Sequence, residues 1–176
     1  MHKVIVAVVV VWTIFFSGAS RLPKEKTPLT WMKISDLPVA MQNQRKPVLI
    51  DLYTDWCGWC KVMDRKTYAN KKLIGYLQQK FYPVKLNAET KEKIVYGGKN
   101  YQFNPSYRTH DFAIYLTQGK LSYPSTVIIP PNGAEAQVIP GYLTVTQMET
   151  ILTYFGEGQY AKISFDQYRK QFKGSW

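Results

Sequence analysis

The sequence is short of cysteine, histidine and acidic residues. Cys57 and Cys60 are the only cysteines in 176 residues. One pair of thiols cannot build a multi-disulfide framework, nor can it supply a four-cysteine zinc site. Whatever the two cysteines do, they do together. Asp and Glu number 12 against 23 Lys and Arg, a net charge of +11. There is no internal repeat, no low-complexity segment and no glycine period, which excludes fibrous and solenoid architectures. A hydrophobic content of 45% excludes a disordered chain. The longest apolar run, Val4 to Phe16, is broken only by Thr13. As a helix it spans roughly 20 Å, short of the roughly 30 Å hydrocarbon core of a bilayer. What remains is the composition of one ordinary globular domain.

The run at the start has its own reading. Met1-His2-Lys3 gives a basic beginning, Val4 to Phe16 an apolar middle, and Ser17-Gly18-Ala19-Ser20 small residues around a cut after Ala19. That order predicts a signal peptide over 1–19. The alternative is an uncleaved anchor over residues 4–20, since the uncharged stretch continues to Ser20. The expected location is exported, periplasmic or extracytoplasmic, with membrane contact only if the leader stays attached. In such a compartment a Cys-x-x-Cys pair is oxidised unless something reduces it.

Residues 20–30, with two prolines and no periodicity, read as a linker. A short strand is expected at 31–34. A helix follows, with Ser35 as N-cap and Pro38 in its first turn, reaching about Gln44. Pro47 to Tyr53 is a nearly continuous apolar run, the pattern of a buried parallel strand. A helix is expected over Gly58–Lys66, a second over Lys71–Gln79 capped by Asn70, and a strand over Phe81–Leu86. Residues 94–103 predict a hairpin around Gly97-Gly98. Thr109 is expected to cap a helix from His110 to Thr117, closed by Gly119. Ser125–Ile129 and Ala136–Ile139 predict two strands joined by the turn 131–133. A helix over Thr146–Phe155 and a last one opened by the capping-box pattern Ser164 to Gln167 complete an α/β sandwich.

Chemistry concentrates in Trp56-Cys57-Gly58-Trp59-Cys60-Lys61. Cysteines at i and i+3 share one side of a helix's first turn, with Cα atoms about 5–6 Å apart, within disulfide range. At a helix N-terminus the free N–H groups and the dipole stabilise an anion, so the Cys57 thiol pKa falls from about 8.5. Cys57 is then the attacking thiolate, and Cys60 is placed to resolve the mixed disulfide. Gly58 leaves room for a partner's backbone. Two other readings stand beside this one. A purely structural bridge closes so small a loop that it stabilises little. Half a metal site, completed by His2 or His110, is a poor zinc set.

Asp51 interrupts the apolar run of residues 47–53. A buried carboxylate costs several kcal/mol unless paired or protonated. Lys85, in the apolar run Tyr82 to Leu86, is its natural partner if the two strands are neighbours. Asp51 is then either a proton acceptor of raised pKa near Cys60 or a solvent-facing residue at a strand end.

Taken together these residues resemble the thioredoxin superfamily. Val48–Lys61 (VLIDLYTDWCGWCK) is similar to its strand plus active-site helix, with Asp51 six residues before the first cysteine. Val84-Lys85-Leu86-Asn87 is similar to its strand bearing a lysine that pairs that aspartate. Tyr123-Pro124-Ser125-Thr126 resembles its cis-proline segment, and Gly141 its glycine before the last helix. The resemblance covers roughly residues 31–156 and looks closest to exported members, including the C-terminal domain of transmembrane reductant-transfer proteins. It implies an α/β thioredoxin-like fold, a central mixed β-sheet flanked by helices; the segment 88–108, longer than the family's usual link, departs from it as an insertion containing the expected β-hairpin, and residues 157–176 are expected to add a helical extension ending in a short C-terminal helix. It implies Cys57 as nucleophile and Cys60 as resolving thiol, with Asp51 and Lys85 tuning proton transfer. Pro124 would shape a substrate groove, with Tyr123 offering its backbone to an extended peptide. The sequence departs from the family's common Gly-Pro in having Gly58-Trp59 between the cysteines.

Trp56, Trp59 and Tyr123 would ring the disulfide as an apolar docking rim. The basic residues are dispersed and mixed with acids, as in Lys91-Glu92-Lys93, the pattern of a solvated face. No nucleic-acid motif is present. The expected activity is thiol–disulfide exchange with protein thiols and disulfides and a redox partner protein. No cofactor is expected beyond the redox-active Cys57–Cys60 disulfide, and no metal. The rival reading is a binding module on the same fold, with an inert bridge and no turnover.

Overall fold

The computed structural model describes residues 28–132 and 134–176. The expected leader over 1–19, the linker as far as residue 27, and Gly133 of the turn 131–133 lie outside the described residues. Strand β1 (Val48–Tyr53) has only one side chain that is not buried, Tyr53, so its apolar run forms the middle of a sheet. β2 (Tyr82–Asn87) lies parallel to it, with Asp51 opposite Lys85.

Two short hairpins follow β2. β3 (Ile94–Tyr96) pairs with β4 (Lys99–Tyr101) around Gly97-Gly98, both at positive φ. β5 (Phe103–Asn104) pairs with β6 (Thr109–His110). β7 (Ser125–Ile129) runs antiparallel to β1, and β8 (Gln137–Pro140) antiparallel to β7. The main sheet therefore has the order β2-β1-β7-β8.

Side chains alternate across the sheet, so two cores form. α2 (Gly58–Lys66), α3 (Lys71–Lys80) and α5 (Val145–Gly156) cover the face that carries Leu49 and Ile128, contributing Met63, Leu73, Leu77, Met148 and Leu152. α1 (Leu37–Asn43) and α4 (Asp111–Thr117) cover the face that carries Ile50, Leu52 and Val127, contributing Leu37, Phe112 and Leu116. The result is the mixed sheet between helices that the resemblance implied. Among the described residues no helix is long and apolar enough to cross a membrane.

Several local expectations need correction. Residues 31–34 form no strand, only a parallel bridge between Met32 and Val84. Met32 N–H donates to the Pro83 carbonyl (2.7 Å). Pro83 has no N–H to return a bond on that edge, so the pairing stops there. Ser35 does not cap α1. It lies in a 3-10 turn over Ile34–Asp36, its hydroxyl bonds Asp36, and α1 starts at Leu37 with Pro38 in its first turn. Thr109 does not cap α4 either. Its hydroxyl donates to the Ala88 carbonyl (2.9 Å), and His110 Nδ1 takes over by accepting the Phe112 N–H (3.1 Å). The caps of α3 by Asn70 and of the last helix by Ser164 form as expected. α5 starts one residue before the expected Thr146, capped by Thr144 with Gln147.

The residues after α5 share its core. In α6 (Phe165–Gln171), Phe165 and Tyr168 pack on Tyr154, with ring centroids 5.2 and 5.3 Å away. Buried Glu149 of α5 accepts the N–H groups of Ser175 (2.7 Å) and Trp176 (3.1 Å).

Candidate functional site

Strand β1 ends beneath the loop that carries the cysteines, and α2 begins at Gly58. Cys57 is the N-cap of α2, its backbone extended, and its sulfur accepts the Cys60 N–H at 3.0 Å. The sequence thus places a sulfur where a helix offers free donors, the position that favours a thiolate. Cys57 and Cys60 are joined as a disulfide, with Cα atoms 5.3 Å apart. Both are almost wholly covered, at 4% exposure each.

The tryptophans around them are the reverse. Trp56 is 66% exposed and Trp59 63%. Trp56 stands edge-on to Tyr123 (5.8 Å between centroids), and its indole N–H donates to Glu89 (3.0 Å). Trp59 lies against Tyr142 at 5.5 Å. Tyr123 comes just before β7, its hydroxyl 3.4 Å from that of Thr109. The Tyr123–Pro124 peptide is cis, and the Pro124 carbonyl accepts the Gly141 N–H (2.8 Å). The space above Gly58 is open: a Cβ there would meet nothing within 4 Å. Packing does not demand the glycine, so its place beside Cys57 is free for an approaching chain.

Asp51 is 2% exposed, which removes the reading of a solvent-facing aspartate. Lys85 Nζ lies 3.3 Å from its Oδ2. The same ammonium is bonded to Asp64 of α2 and lies over the rings of Trp31 (5.3 Å) and Tyr53 (5.1 Å). Burial pushes the Asp51 carboxyl up to about 6; Lys85 pulls it back and Asp64 adds to the rise. Burial works against the Lys85 charge, but the bond to Asp64 and the two carboxylates outweigh it and hold its pKa above that of an ordinary lysine. A buried carboxyl that titrates near neutrality can take up a proton and give it back.

The structure gathers Cys57, Cys60, Trp56, Gly58 and Trp59 at one helix start, pairs Asp51 with Lys85, and sets Tyr123 against Trp56. His110 stands apart. Its Nδ1 accepts the Phe112 N–H and its Nε2 donates to the Glu92 carbonyl (3.0 Å), so no ring nitrogen is free to join the cysteines.

Asp64, Glu89 and Tyr142 belong to the site but were not singled out from the sequence. Asp64 carried a usable signal: it lies four residues after Cys60, on the same side of the helix. Glu89 and Tyr142 meet their tryptophans only through the fold.

The profile of the thioredoxin-like domain family matches residues 35–156. The chain is 32% identical over 60 residues to the thiol:disulfide interchange protein DsbD of Yersinia enterocolitica, covering 32% of this chain and 10% of that protein. It therefore spans about a tenth of the length of the curated relative it matches. Among solved structures it is similar to a thioredoxin-fold protein from Helicobacter pylori, with a TM-score of 0.54, 19% identity, and 72% of this chain and 80% of that one covered. It is also similar to a thioredoxin from Thermus thermophilus, with a TM-score of 0.51, 10% identity, and 84% and 100% covered. At those identities the two structures speak for the fold alone.

Proposed function

Given that the chain belongs to the thioredoxin-like domain family, we propose that it is an exported thiol–disulfide oxidoreductase acting on protein thiols and disulfides. The observation that carries this reading is the placement of Cys57. Its sulfur caps a helix, accepts a backbone N–H, and is bonded to a second cysteine one turn on. The similarity to thiol:disulfide interchange proteins agrees with it. Export rests on the leader pattern of residues 1–19.

In the reducing direction the Cys57 thiolate attacks one sulfur of a partner disulfide. A mixed disulfide forms and the partner's other sulfur leaves as a thiolate. Cys60 gives up its proton and attacks the Cys57 sulfur. The intramolecular disulfide forms, the partner leaves with two thiols, and two electrons have passed to it. Asp51 is the acceptor of the Cys60 proton: it is buried on the sheet face beneath α2, and its carboxyl titrates close to neutrality. Lys85 keeps its charge and holds Asp51 in place. Run backwards, the same steps oxidise a dithiol partner. Trp56, Trp59 and Tyr123 form the apolar rim on which the partner docks, and Pro124 with the Tyr123 backbone lines the edge that an extended peptide meets.

Dithiol-dependent insulin reduction tests the assignment. Cys57→Ala should abolish it, and Cys60→Ala should accumulate a covalent adduct with the partner. Insulin reduction that survives Cys57→Ala would sink the proposal. Alkylation of the cysteines in separated cell fractions tests export.

A further inference from the structure

Among the described residues four buried side-chain oxygens make no hydrogen bond: Asp51 Oδ1, the Tyr68 hydroxyl, the Thr126 hydroxyl and, just past β1, the Thr54 hydroxyl. Buried polar atoms are rarely left alone, and the placement of the first three is specific. Thr126 of β7 stands directly opposite Asp51 of β1, so the two side chains share one face of the sheet. The next pair on that face is Leu49 with Ile128, in the same core as Tyr68 and Met63. Tyr68 follows α2, its N–H donating to Met63 (3.0 Å), its ring held edge-on by Trp31 at 4.9 Å. Burial raises the Tyr68 pKa well above its ordinary value; the charge of Asp51 raises it further, and the nearby Thr126 hydroxyl lowers it. The phenol therefore lies beside the Thr126 hydroxyl, on the face of the sheet that carries Asp51, although neither hydroxyl makes a bond of normal length and angle. Phenylalanine and valine would fill these two core positions without burying an unpaired hydroxyl.

We propose that Tyr68 and Thr126 are positioning residues for Asp51, their hydroxyls and Asp51 Oδ1 holding one water that gives the carboxylate a hydrogen-bond donor inside the core. Three polar partners suit a buried water, which takes two to four. Asp51 Oδ2 already faces Lys85 (3.3 Å), so Oδ1 is the atom left to exchange a proton. The charged and titratable groups that face Asp51 are Lys85 from β2, Asp64 from α2, Tyr53 from its own strand and Tyr68 from the turn after α2. Thr126 from β7 is uncharged. Donation to a carboxylate favours its ionised form, so the two hydroxyls lower the pH at which Asp51 gives up its proton. The proposal rests on the role given above to Asp51, but the state of the carboxyl can be read without any turnover.

The experiment is a carboxyl carbon-13 NMR titration of Asp51 in the oxidised full chain. Tyr68→Phe and Thr126→Val should each raise the midpoint by about half to one pH unit. The double variant should exceed the larger single shift by little, because one water is shared. Thr126→Ser should restore the wild-type midpoint. If Tyr68→Phe and Thr126→Val both leave the midpoint in place, the proposal is overturned. If Thr126→Val does not fold, Tyr68→Phe decides alone. A wild-type chain that reduces no insulin, yet whose Asp51 midpoint still follows Tyr68, would defeat the exchange reading and leave this inference standing.

Discussion

The two faces of the central sheet bury polar groups in different ways. Beneath α1 and α4, the hydroxyls of Thr109 and Thr117 donate to the carbonyls of Ala88 (2.9 Å) and Ala113 (2.8 Å), and both nitrogens of His110 are engaged. Beneath α2, Asp51, Tyr68 and Thr126 each keep an oxygen without a partner around a carboxyl pushed up to about 6. Satisfied polar groups lock strands and caps together and add specificity to the fold. Groups that no protein atom satisfies, held to one water as proposed above, leave a titratable carboxyl able to change its charge. On the role proposed for Asp51, the difference assigns one face to the scaffold and the other to chemistry; Thr54, just past β1, is the one other buried hydroxyl without a partner among the described residues.

The largest expected effect lies on the scaffold face. Phe112 is fully buried against Tyr96 and Tyr101. Phe112→Ala should cost about 3–5 kcal/mol in urea unfolding, while leaving the Asp51 midpoint unmoved. A shifted midpoint would show that the two faces are coupled.

The next effect is on the other face and has the opposite sign. The native Asp51 holds its proton up to about 6, against 3.8 for an aspartate in the unfolded chain. Between those two pH values the native state binds more protons than the unfolded chain, so stability falls as pH rises through the window, and the full penalty is present above it. Asp51→Asn should flatten that slope and stabilise the chain at pH 7 by on the order of 2–3 kcal/mol, while slowing resolution of the mixed disulfide. Urea unfolding across the window, with and without the substitution, measures both the slope and the gain.

A third effect compares one substitution at two sites. Thr109→Val removes a donor from a buried carbonyl and should destabilise by about 1–2 kcal/mol. Thr126→Val removes a hydroxyl that no protein group bonds: at pH values below the Asp51 titration it should change stability by less than about 0.5 kcal/mol, and at pH 7 by about 0.5–1 kcal/mol through the raised Asp51 midpoint. Equal losses would erase the distinction between the faces.

The smallest effect lies at the rim. Glu89→Gln leaves an acceptor for the Trp56 indole but removes a charge from an exposed bond. It should change the rate of insulin reduction by less than about threefold, whereas Trp56→Ala should slow reduction of protein disulfides more than that of a small aromatic disulfide. Parallel kinetics on both substrates check the contrast.

Much of this was legible in the residues. The apolar run of β1 and the period of α3 and α5 reflect side-chain spacing alone, and those elements appear where expected. Asp51 and Lys85 could be paired because each is a charge inside an apolar run, and parallel neighbouring strands bring them level. The caps were less legible. A serine or threonine before a helix competes among several acceptors and donors, and Ser35 and Thr109 found others in Asp36 and Ala88. Tyr68 carried no sign of the role proposed for it: an aromatic residue after an amphipathic helix reads as core, which it also is.

The sequence by itself determined the redox pair, its place at a helix start, and the charge buried in the central strand. Local spacing and the cost of desolvation act on residues close in the chain, so they can be read from it. Only the tertiary structure decided that Asp64 shares Lys85, that Glu89 holds Trp56, and that Thr126 stands opposite Asp51 with Tyr68 in the core of the same face. Those contacts join segments brought together by the sheet register and by helix packing, and no local preference of the chain specifies them.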